Sequence, residues 1–257
     1  PHQAAVCVET GHINVHESGA IEALGHKVLA VPGKGDGKLY AEDVAAVICG
    51  HFNDETHEHM VQPGLVYISF PTENGTLYTK AELTALWEVC QKYHVYLYID
   101  GARLGYGLAS QENDLTMTDI AGLCDAFYIG GTKVGALFGE AVILSNESLK
   151  KDFRYIMKQR GAMLAKGRLL GLQFETLFEN GLYNEISRHA VAMAMEIKAA
   201  FRKKNIPFLF ESPTNQQFPI LDRRQREILA QKYAFSFWCD VDGERSAVRF
   251  CTSWATR

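Results

Sequence analysis

Two short apolar segments, each followed closely by charged side chains, constrain the fold of this chain more than any other feature. Residues 95–99 lead directly into Asp100, with Arg103 three residues further on, and residues 126–129 lead through a Gly-Gly-Thr turn to Lys133. Uninterrupted apolar segments of four or five residues are typical of buried strands. Ligands of open α/β sheets bind outside the carboxyl ends of the strands. We therefore expect an acid, a guanidinium and an amine to face one crevice.

This set of side chains suits pyridoxal phosphate. The cofactor needs a lysine amine for its Schiff base and a carboxylate that keeps its pyridine nitrogen protonated, so that the ring can accept electrons. The order along the chain assigns the carboxylate to Asp100 and the amine to Lys133. Strand ends also carry such residues when they are merely solvated or paired, and on spacing alone this simpler interpretation stays open.

The segments YIDGAR, residues 98–103, and IGGTKVG, residues 129–135, resemble motifs of the threonine aldolase and β-eliminating lyase family. The similarity runs along nearly the whole chain. It implies an α/β, aminotransferase-like fold with a mostly parallel sheet, flanking helices and a small C-terminal α+β domain. We expect a large cofactor-binding domain over residues 1–204 and the small domain over residues 205–257. The resemblance also implies that the N-terminal part of the fold, with the turn that cradles the cofactor phosphate, lies outside this sequence.

The reaction implied by the resemblance is the retro-aldol cleavage of threonine-like β-hydroxy-α-amino acids to glycine and an aldehyde. One loop departs from the family. In PTENGTLY, residues 71–78, Thr72 stands where the family carries a His implicated in catalysis, with Glu73 and Asn74 beside it. The departure keeps open a β-eliminating lyase or an aminotransferase on the same fold. A fold relative without catalytic activity is the alternative of another class.

His12 falls where the family carries a His that stacks on the cofactor ring, and it could serve as the base for the β-hydroxyl proton. Glu17 follows on the same helix start and could support it. A histidine that only caps a helix is the alternative. By the same resemblance, Arg103 is expected to bind the ring hydroxyl of the cofactor or the carboxylate of the substrate.

Three further basic residues are assigned by resemblance. Arg249, in SAVRFCTSWATR, corresponds to the Arg that grips the substrate carboxylate, for which a guanidinium fork is a natural partner. Arg160 and Lys166 fall where the family reaches toward the cofactor phosphate of a neighbouring subunit. A water-facing strand residue, for Arg249, and a solvated helix end, for the other two, are the alternatives. The family builds its active sites at subunit interfaces, so a homodimer or homotetramer is expected.

The charge, hydropathy and cysteine content of the chain bear on which kinds of partner it could bind and where it could act. The 257 residues carry 26 Lys+Arg and 30 Asp+Glu, a net charge of −4, which gives no argument for nucleic acid or a membrane surface. No apolar segment approaches the twenty residues of a transmembrane helix, and no signal peptide is evident. Six scattered cysteines without a CxxC pair indicate free thiols in a cytoplasmic protein.

The stretch HFNDETHEHM, residues 51–60, carries three histidines among acids, but it lacks periodicity. We interpret it as an exposed loop and predict no metal site. A capping-box pattern at residues 79–82 predicts the start of a helix that runs to about residue 94. Further helices are predicted at residues 15–24, 39–49, 148–204 and 223–233, and further strands at residues 4–8, 27–31, 65–70, 140–144 (antiparallel), 207–210, 217–221, 235–239 and 248–252.

Overall fold

The computed structural model describes residues 2–257, and its centre is a six-stranded sheet. The strands are β1 (Gln3–Val8), β2 (Lys27–Val31), β3 (Gln62–Ser69), β4 (Tyr96–Asp100), β5 (Ala126–Ile129) and β6 (Ala141–Leu144). Their order is β2-β1-β3-β4-β5-β6, and all neighbours run parallel except β6, which is antiparallel to β5. The predicted α/β class and the antiparallel strand after the Lys133 loop are both confirmed.

Helices cover this sheet, which is why its strands are apolar along their length. They are α1 (His12–Val15), α2 (Ala20–Ala23), α3 (Ala41–Asn53), α4 (Lys80–Lys92), α5 (Leu104–Leu108), α6 (Met117–Gly122), α7 (Phe153–Gln159), α8 (Arg168–Phe178), α9 (Leu182–Lys203) and α10 (Arg223–Ala230). The predicted capping box opens α4, because Thr79 accepts a hydrogen bond from the Glu82 backbone and Glu82 accepts one in return. Leu83, Leu86 and Cys90 of that helix are buried against the sheet.

A second, smaller sheet follows the long helix α9. Its strands are β7 (Gln216–Gln217), β8 (Ile220–Asp222), β9 (Ser236–Asp240) and β10 (Arg245–Cys251). β10 pairs antiparallel with the other three. Phe218 and Trp238 pack edge to face beside it, with ring centroids 4.9 Å apart. This sheet positions Arg249, which lies in the middle of β10.

Three local predictions are wrong. The helix expected at residues 15–24 is replaced by α1 and α2, which are single turns, because Ser18 and Gly19 between them have φ of 52° and 74°. The strand expected at residues 207–210 is absent from the described chain, where a lone bridge joins Phe208 to Pro219. The strand expected at residues 217–221 is interrupted at Pro219, which has no N–H to donate to a ladder.

The histidine-rich segment is also more ordered than predicted. Instead of a loop, α3 continues through Asn53 and a 3₁₀ turn follows at His57–His59. The rings of His51 and His57 pack 5.5 Å apart. The helical region expected over residues 148–204 is divided into α7, α8 and α9, and Gly181, with φ of 75°, precedes the last of them.

Candidate active site

The carboxyl ends of the central strands enclose a cleft of about 130 Å³. The register of β3 and β4 sets Ser69 directly beside Asp100. The structure brings Asp100, Arg103 and Lys133 together in this cleft, as their spacing predicts. The lining residues are His12, Glu17, Ser69, Pro71, Thr72, Glu73, Asp100, Ala102, Arg103, Tyr128 and Lys133.

A larger cavity, of about 770 Å³, lies between α9, α10 and β10. Its walls are mainly apolar, with Lys204 and Gln225 as the polar exceptions. It holds no carboxylate, thiol or histidine, whereas the smaller cleft gathers acids, bases and an amine. We therefore assign the chemistry to the cleft despite its smaller volume.

Asp100 is held by three hydrogen-bond donors. Its Oδ1 accepts from the Tyr128 hydroxyl at 2.5 Å and from the Ala102 backbone N–H at 2.9 Å, and its Oδ2 accepts from the Tyr67 hydroxyl. Burial beside Asp100 raises the pKa of both tyrosines, which keeps their hydroxyls as donors. Three donors stabilise an ionised carboxylate. Because a carboxylate has about four acceptor positions, one on Oδ2 stays free.

Lys133 projects from a loop that its neighbours fix. Glu140 accepts hydrogen bonds from the Gly131 N–H and, at 2.7 Å, from the Thr132 hydroxyl, while Tyr106 donates to the Lys133 carbonyl. Desolvation by the cleft walls, followed by the positive charge of Arg103, lowers the pKa of Lys133, although the side chain is exposed at the cleft mouth. A lowered pKa favours the neutral, nucleophilic form of the amine.

His12 begins α1 at the end of β1, and its ring lines the cleft. The predicted support from Glu17 is present, since His12 Nδ1 and Glu17 Oε1 are 2.6 Å apart. This contact fixes the ring orientation and leaves the other ring nitrogen for the cleft. Arrangements of this kind, in which a carboxylate orients a histidine, are common in sites that move protons.

Glu73 is a cleft residue that the sequence reasoning left without a role. Its Oε1 accepts hydrogen bonds from the Ser69 hydroxyl at 2.5 Å and from the His12 backbone N–H at 3.1 Å. Burial raises the pKa of Glu73, and the negative charge of Asp100 adds to the effect. The sequence feature that could have identified Glu73 is the one that identified Asp100: each is an acid that closely follows an apolar strand segment.

Two glycines let the strand ends approach each other. A Cβ on Gly101 would overlap the Tyr128 carbonyl oxygen, and a Cβ on Gly130 would overlap the Ala102 carbonyl oxygen. The Gly130 N–H donates to the Gly101 carbonyl at 2.9 Å across the same contact. The turns that carry Asp100 and Lys133 therefore pack backbone against backbone, which only glycine allows.

Arg249 lies outside the set of residues that line the cleft. Its guanidinium carbon is 5.3 Å from the centre of the Trp238 ring, and its Nη1 donates to Gln216 Oε1 at 3.4 Å. Its Nε is buried and has no partner within residues 2–257. The positive charge of Arg249 contributes to the lowered pKa of Lys133, so it acts on the same site from the small sheet.

The two candidates for phosphate contact lie on the surface. Arg160 ends α7 and Lys166 precedes α8, and both side chains are exposed and outside the cleft. The role expected for them in a neighbouring subunit stays a prediction. Thr72 lines the cleft, but its hydroxyl is 2.7 Å from the Thr76 hydroxyl within the same turn.

No group of three or more His, Cys, Asp or Glu side chains in residues 2–257 has an arrangement that could hold a metal ion. None of the helices in that range has the length and hydropathy to cross a membrane.

The donors of the cleft fit the cofactor that the motifs imply. The free acceptor position on Asp100 suits a protonated ring nitrogen, because three donors already fix the orientation of the carboxyl group. The amine of Lys133, with its lowered pKa, suits a carbonyl group. These are the two contacts that pyridoxal phosphate requires from a protein through its ring and its aldehyde.

Comparison with known proteins points the same way. A family model described as "Beta-eliminating lyase" matches residues 1–223. A low specificity L-threonine aldolase of a Pseudomonas species is 29% identical over 262 residues, covering 96% of this chain and 74% of that relative. The corresponding protein of Pseudomonas aeruginosa is 27% identical and covers 99% of this chain and 72% of its own length.

Solved structures agree. A threonine aldolase of Leishmania major superposes with a TM-score of 0.95 at 45% identity, over 100% of this chain and 74% of that one. A pyridoxal-phosphate-bound putative aminotransferase of Clostridium difficile has a TM-score of 0.69 at 13% identity, over 98% of this chain and 67% of that one. The second likeness carries the fold alone, and it confirms the predicted aminotransferase-like architecture.

Proposed function

Because the chain belongs to the β-eliminating lyase family, we propose that it is a pyridoxal-phosphate-dependent lyase that cleaves threonine-like β-hydroxy-α-amino acids to glycine and an aldehyde. The threonine aldolases among its relatives support the reaction, the one from Leishmania major most strongly at 45% identity. The single observation that carries the proposal is the cleft in which Asp100 and Lys133 face each other across the strand ends.

The roles of the residues follow from their environments. Lys133 would hold the cofactor covalently through Nζ, since its lowered pKa favours the neutral amine. Asp100 would accept a hydrogen bond from the protonated ring nitrogen at the free position on Oδ2, and His12, oriented by Glu17, would stack on the ring. When bound, pyridoxal phosphate supplies an electron sink for the α-carbon of the substrate.

Two arginines would hold the substrate. Arg103 lines the cleft within reach of the carboxylate or the cofactor hydroxyl, and Arg249 approaches from the small sheet. The buried, unpaired Nε of Arg249 is a donor that a substrate carboxylate would satisfy. A guanidinium binds a carboxylate through two parallel hydrogen bonds, which fixes its orientation as well as its position.

The subunit arrangement is part of the proposal. We infer a homodimer or homotetramer in which Arg160 and Lys166 reach the cofactor phosphate of a neighbouring subunit. Exposed apolar side chains near these residues support an interface: Leu137, Phe138, Leu164, Leu169 and Leu172. The six free cysteines support a reducing compartment, and we place the protein in the cytoplasm.

The test is the visible spectrum of the protein with added pyridoxal phosphate, recorded before and after borohydride. We expect wild type to show a band that borohydride converts to a stable adduct on Lys133, and to release aldehyde from threonine or phenylserine. Lys133→Ala should lose both. The matched control is Lys92→Ala, which removes an exposed amine at the end of α4.

Other outcomes would redirect the proposal. A band without aldehyde would keep the cofactor and move the reaction to β-elimination or transamination, the alternatives on this scaffold. No band from a folded protein would argue for a non-catalytic relative. No observation in the structure favours either alternative over the aldolase.

A further inference from the structure

We propose that Glu73 is the acid–base residue of the cleft, and that it accepts the proton of the substrate β-hydroxyl. The identity of the substrate rests on the proposed function. The position of Glu73 does not, because it follows from the contacts that this side chain makes within the protein.

The carboxyl group of Glu73 is fixed by two elements. Ser69, the last residue of β3, donates to its Oε1 at 2.5 Å, and the backbone N–H of His12, the first residue of α1, donates to the same oxygen at 3.1 Å. The other oxygen, Oε2, has no hydrogen-bond partner within residues 2–257, and Glu73 lines the cleft. One oxygen therefore anchors the side chain and the other is available to a ligand.

The two acids of the cleft have opposite environments. Asp100 accepts three hydrogen bonds, which fix its carboxyl group in place. Glu73 accepts two from other residues, both on one oxygen, and burial raises its pKa against the opposing effect of these hydrogen bonds, with the charge of Asp100 adding to the rise. An acid whose pKa is raised by burial is suited to exchange a proton, whereas an acid held by several donors is suited to bind a cation. By this argument Asp100 serves the cofactor and Glu73 serves the substrate.

Two other polar side chains of the cleft already have partners within the protein. Nδ1 of His12 is 2.6 Å from Glu17, and the Thr72 hydroxyl pairs with Thr76. Lys133 is assigned to the cofactor. His12 retains one free ring nitrogen and is therefore the rival base that an experiment must separate from Glu73.

The proposed step is balanced within the substrate and Glu73. The O–H bond of the β-hydroxyl breaks and its proton passes to Oε2, so that the carboxylate becomes a carboxylic acid. The electron pair of the O–H bond forms the carbonyl of the aldehyde. At the same time the Cα–Cβ bond breaks, and the electron pair of the Cα–Cβ bond stays at Cα. A proton then adds to Cα to give glycine, and Glu73 returns its proton to solvent.

The test compares two reactions in the holoenzyme. Cleavage of threonine needs a base for the β-hydroxyl, whereas exchange of the glycine α-hydrogen with deuterated water needs only the cofactor and the groups at Cα. Glu73→Gln keeps an oxygen that can accept from Ser69 and His12 but cannot take up a proton. We expect it to lower kcat for cleavage by roughly 10²–10⁴-fold and to leave glycine exchange unchanged.

The matched control is Glu88→Gln, the same chemical change at an exposed position on α4, which should alter neither reaction. Equal rates of cleavage by Glu73→Gln and wild type would overturn the proposal. If cleavage is then lost in His12→Asn, the base is His12. Loss of both reactions in Glu73→Gln would also overturn it, because Glu73 would then only position the cofactor. Failure of the proposed function is distinguishable, because wild type itself would release no aldehyde.

A second measurement uses the apoprotein. An infrared titration should show a protonated-carboxyl band that persists above the ordinary range of a glutamate and that is missing in Glu73→Gln. Identical titrations of wild type and variant would overturn the proposal. The ionisable groups that face Glu73 are Cys7 on β1, His12 on α1, Tyr67 on β3, Tyr78 after the loop and Asp100 on β4, with Arg103 and Lys133 in the same cleft.

Discussion

The carboxyl group of Asp100 is held entirely by uncharged donors. Its three partners, Tyr67, Tyr128 and the Ala102 N–H, are all uncharged, and none of the ion pairs within residues 2–257 includes it. Uncharged donors fix the position of a carboxylate without forming an ion pair with it. Asp100 is then available to pair with a protonated ring nitrogen.

Removal of one tyrosine hydroxyl should weaken this arrangement. Tyr67→Phe deletes a donor to a charged acceptor, a loss of about 1.5–3 kcal/mol, so the affinity for pyridoxal phosphate should fall by about 10–100-fold. The dissociation constant can be measured by spectral titration. Tyr98→Phe is the control, because Tyr98 stacks beside Tyr67 with centroids 6.0 Å apart but does not donate to Asp100. Equal affinities of Tyr67→Phe and wild type would contradict the role of the hydroxyl.

At the residue scale, the sequence predicts which acids and bases lie in the cleft better than it predicts their hydrogen-bond partners. Asp100 and Lys133 follow apolar strands, and that position alone predicts where they point. Tyr67 and Tyr128 lie inside strands, and their contact with Asp100 depends on the register of β3, β4 and β5, which no local pattern specifies. The position of Glu73 after an apolar strand segment is visible in the sequence. Its contacts with Ser69 and His12 depend on the tertiary structure.

At the scale of elements, the contact between the turns after β4 and β5 decides the geometry of the cleft. Gly101 and Gly130 meet there, and backbone carbonyl oxygens leave no room for a side chain at either position. The strands themselves are held by a ladder and an apolar core. A substitution at either glycine therefore has to displace backbone that is fixed by this sheet.

Substitution of Gly101 by Ala should destabilise the protein by about 1–3 kcal/mol or more, because the added methyl group overlaps the Tyr128 carbonyl oxygen. Gly50→Ala is the matched control in the interior of α3, where nothing lies within 4 Å of the new Cβ. It should stabilise the protein by about 0.5–1 kcal/mol through helix propensity. Urea unfolding measures both, and a neutral Gly101→Ala would show that the turns can separate.

The predicted elements are right where one local signal is strong and wrong where backbone conformation decides. β3, β4 and β5 each contain an uninterrupted apolar segment of four residues, and α4 has its capping box. The expected helix at residues 15–24 fails because Ser18 and Gly19 adopt positive φ, which hydrophobic pattern does not report. The interruption between β7 and β8 could have been predicted from Pro219.

At the scale of the whole molecule, one face remains apolar and exposed. Leu169 and Leu172 point outward from α8, and Gln173 of the same helix bonds the backbone of Leu137 and Phe138, so these four side chains lie near one another. Leu137 is 87% exposed. An apolar surface of this kind suits burial against a second subunit.

Mixed oligomers can test whether subunits share an active site. Chains with Lys133→Ala and chains with both Arg160→Ala and Lys166→Ala should each be inactive alone. Suppose that the two basic residues serve the site of the neighbouring subunit. A mixed dimer then has one site in which Lys133 and both basic residues are intact. Activity should therefore return when the two variants are mixed. The measurement is cleavage after co-refolding, with each variant refolded alone as the control. No recovery from a verified mixed dimer would place these residues in their own subunit or outside the site.

The side chains that line the cleft all lie between residues 12 and 133, whereas Arg249 comes from the small sheet, 116 positions after Lys133. Synthesis proceeds from the N-terminus at about 5–20 residues per second, so roughly 6–23 s separate the two on the ribosome. The side chains that line the cleft, Arg103 among them, are therefore translated before the second arginine proposed to hold the substrate. A nascent chain paused in this interval already carries every residue of the cleft lining and still lacks Arg249.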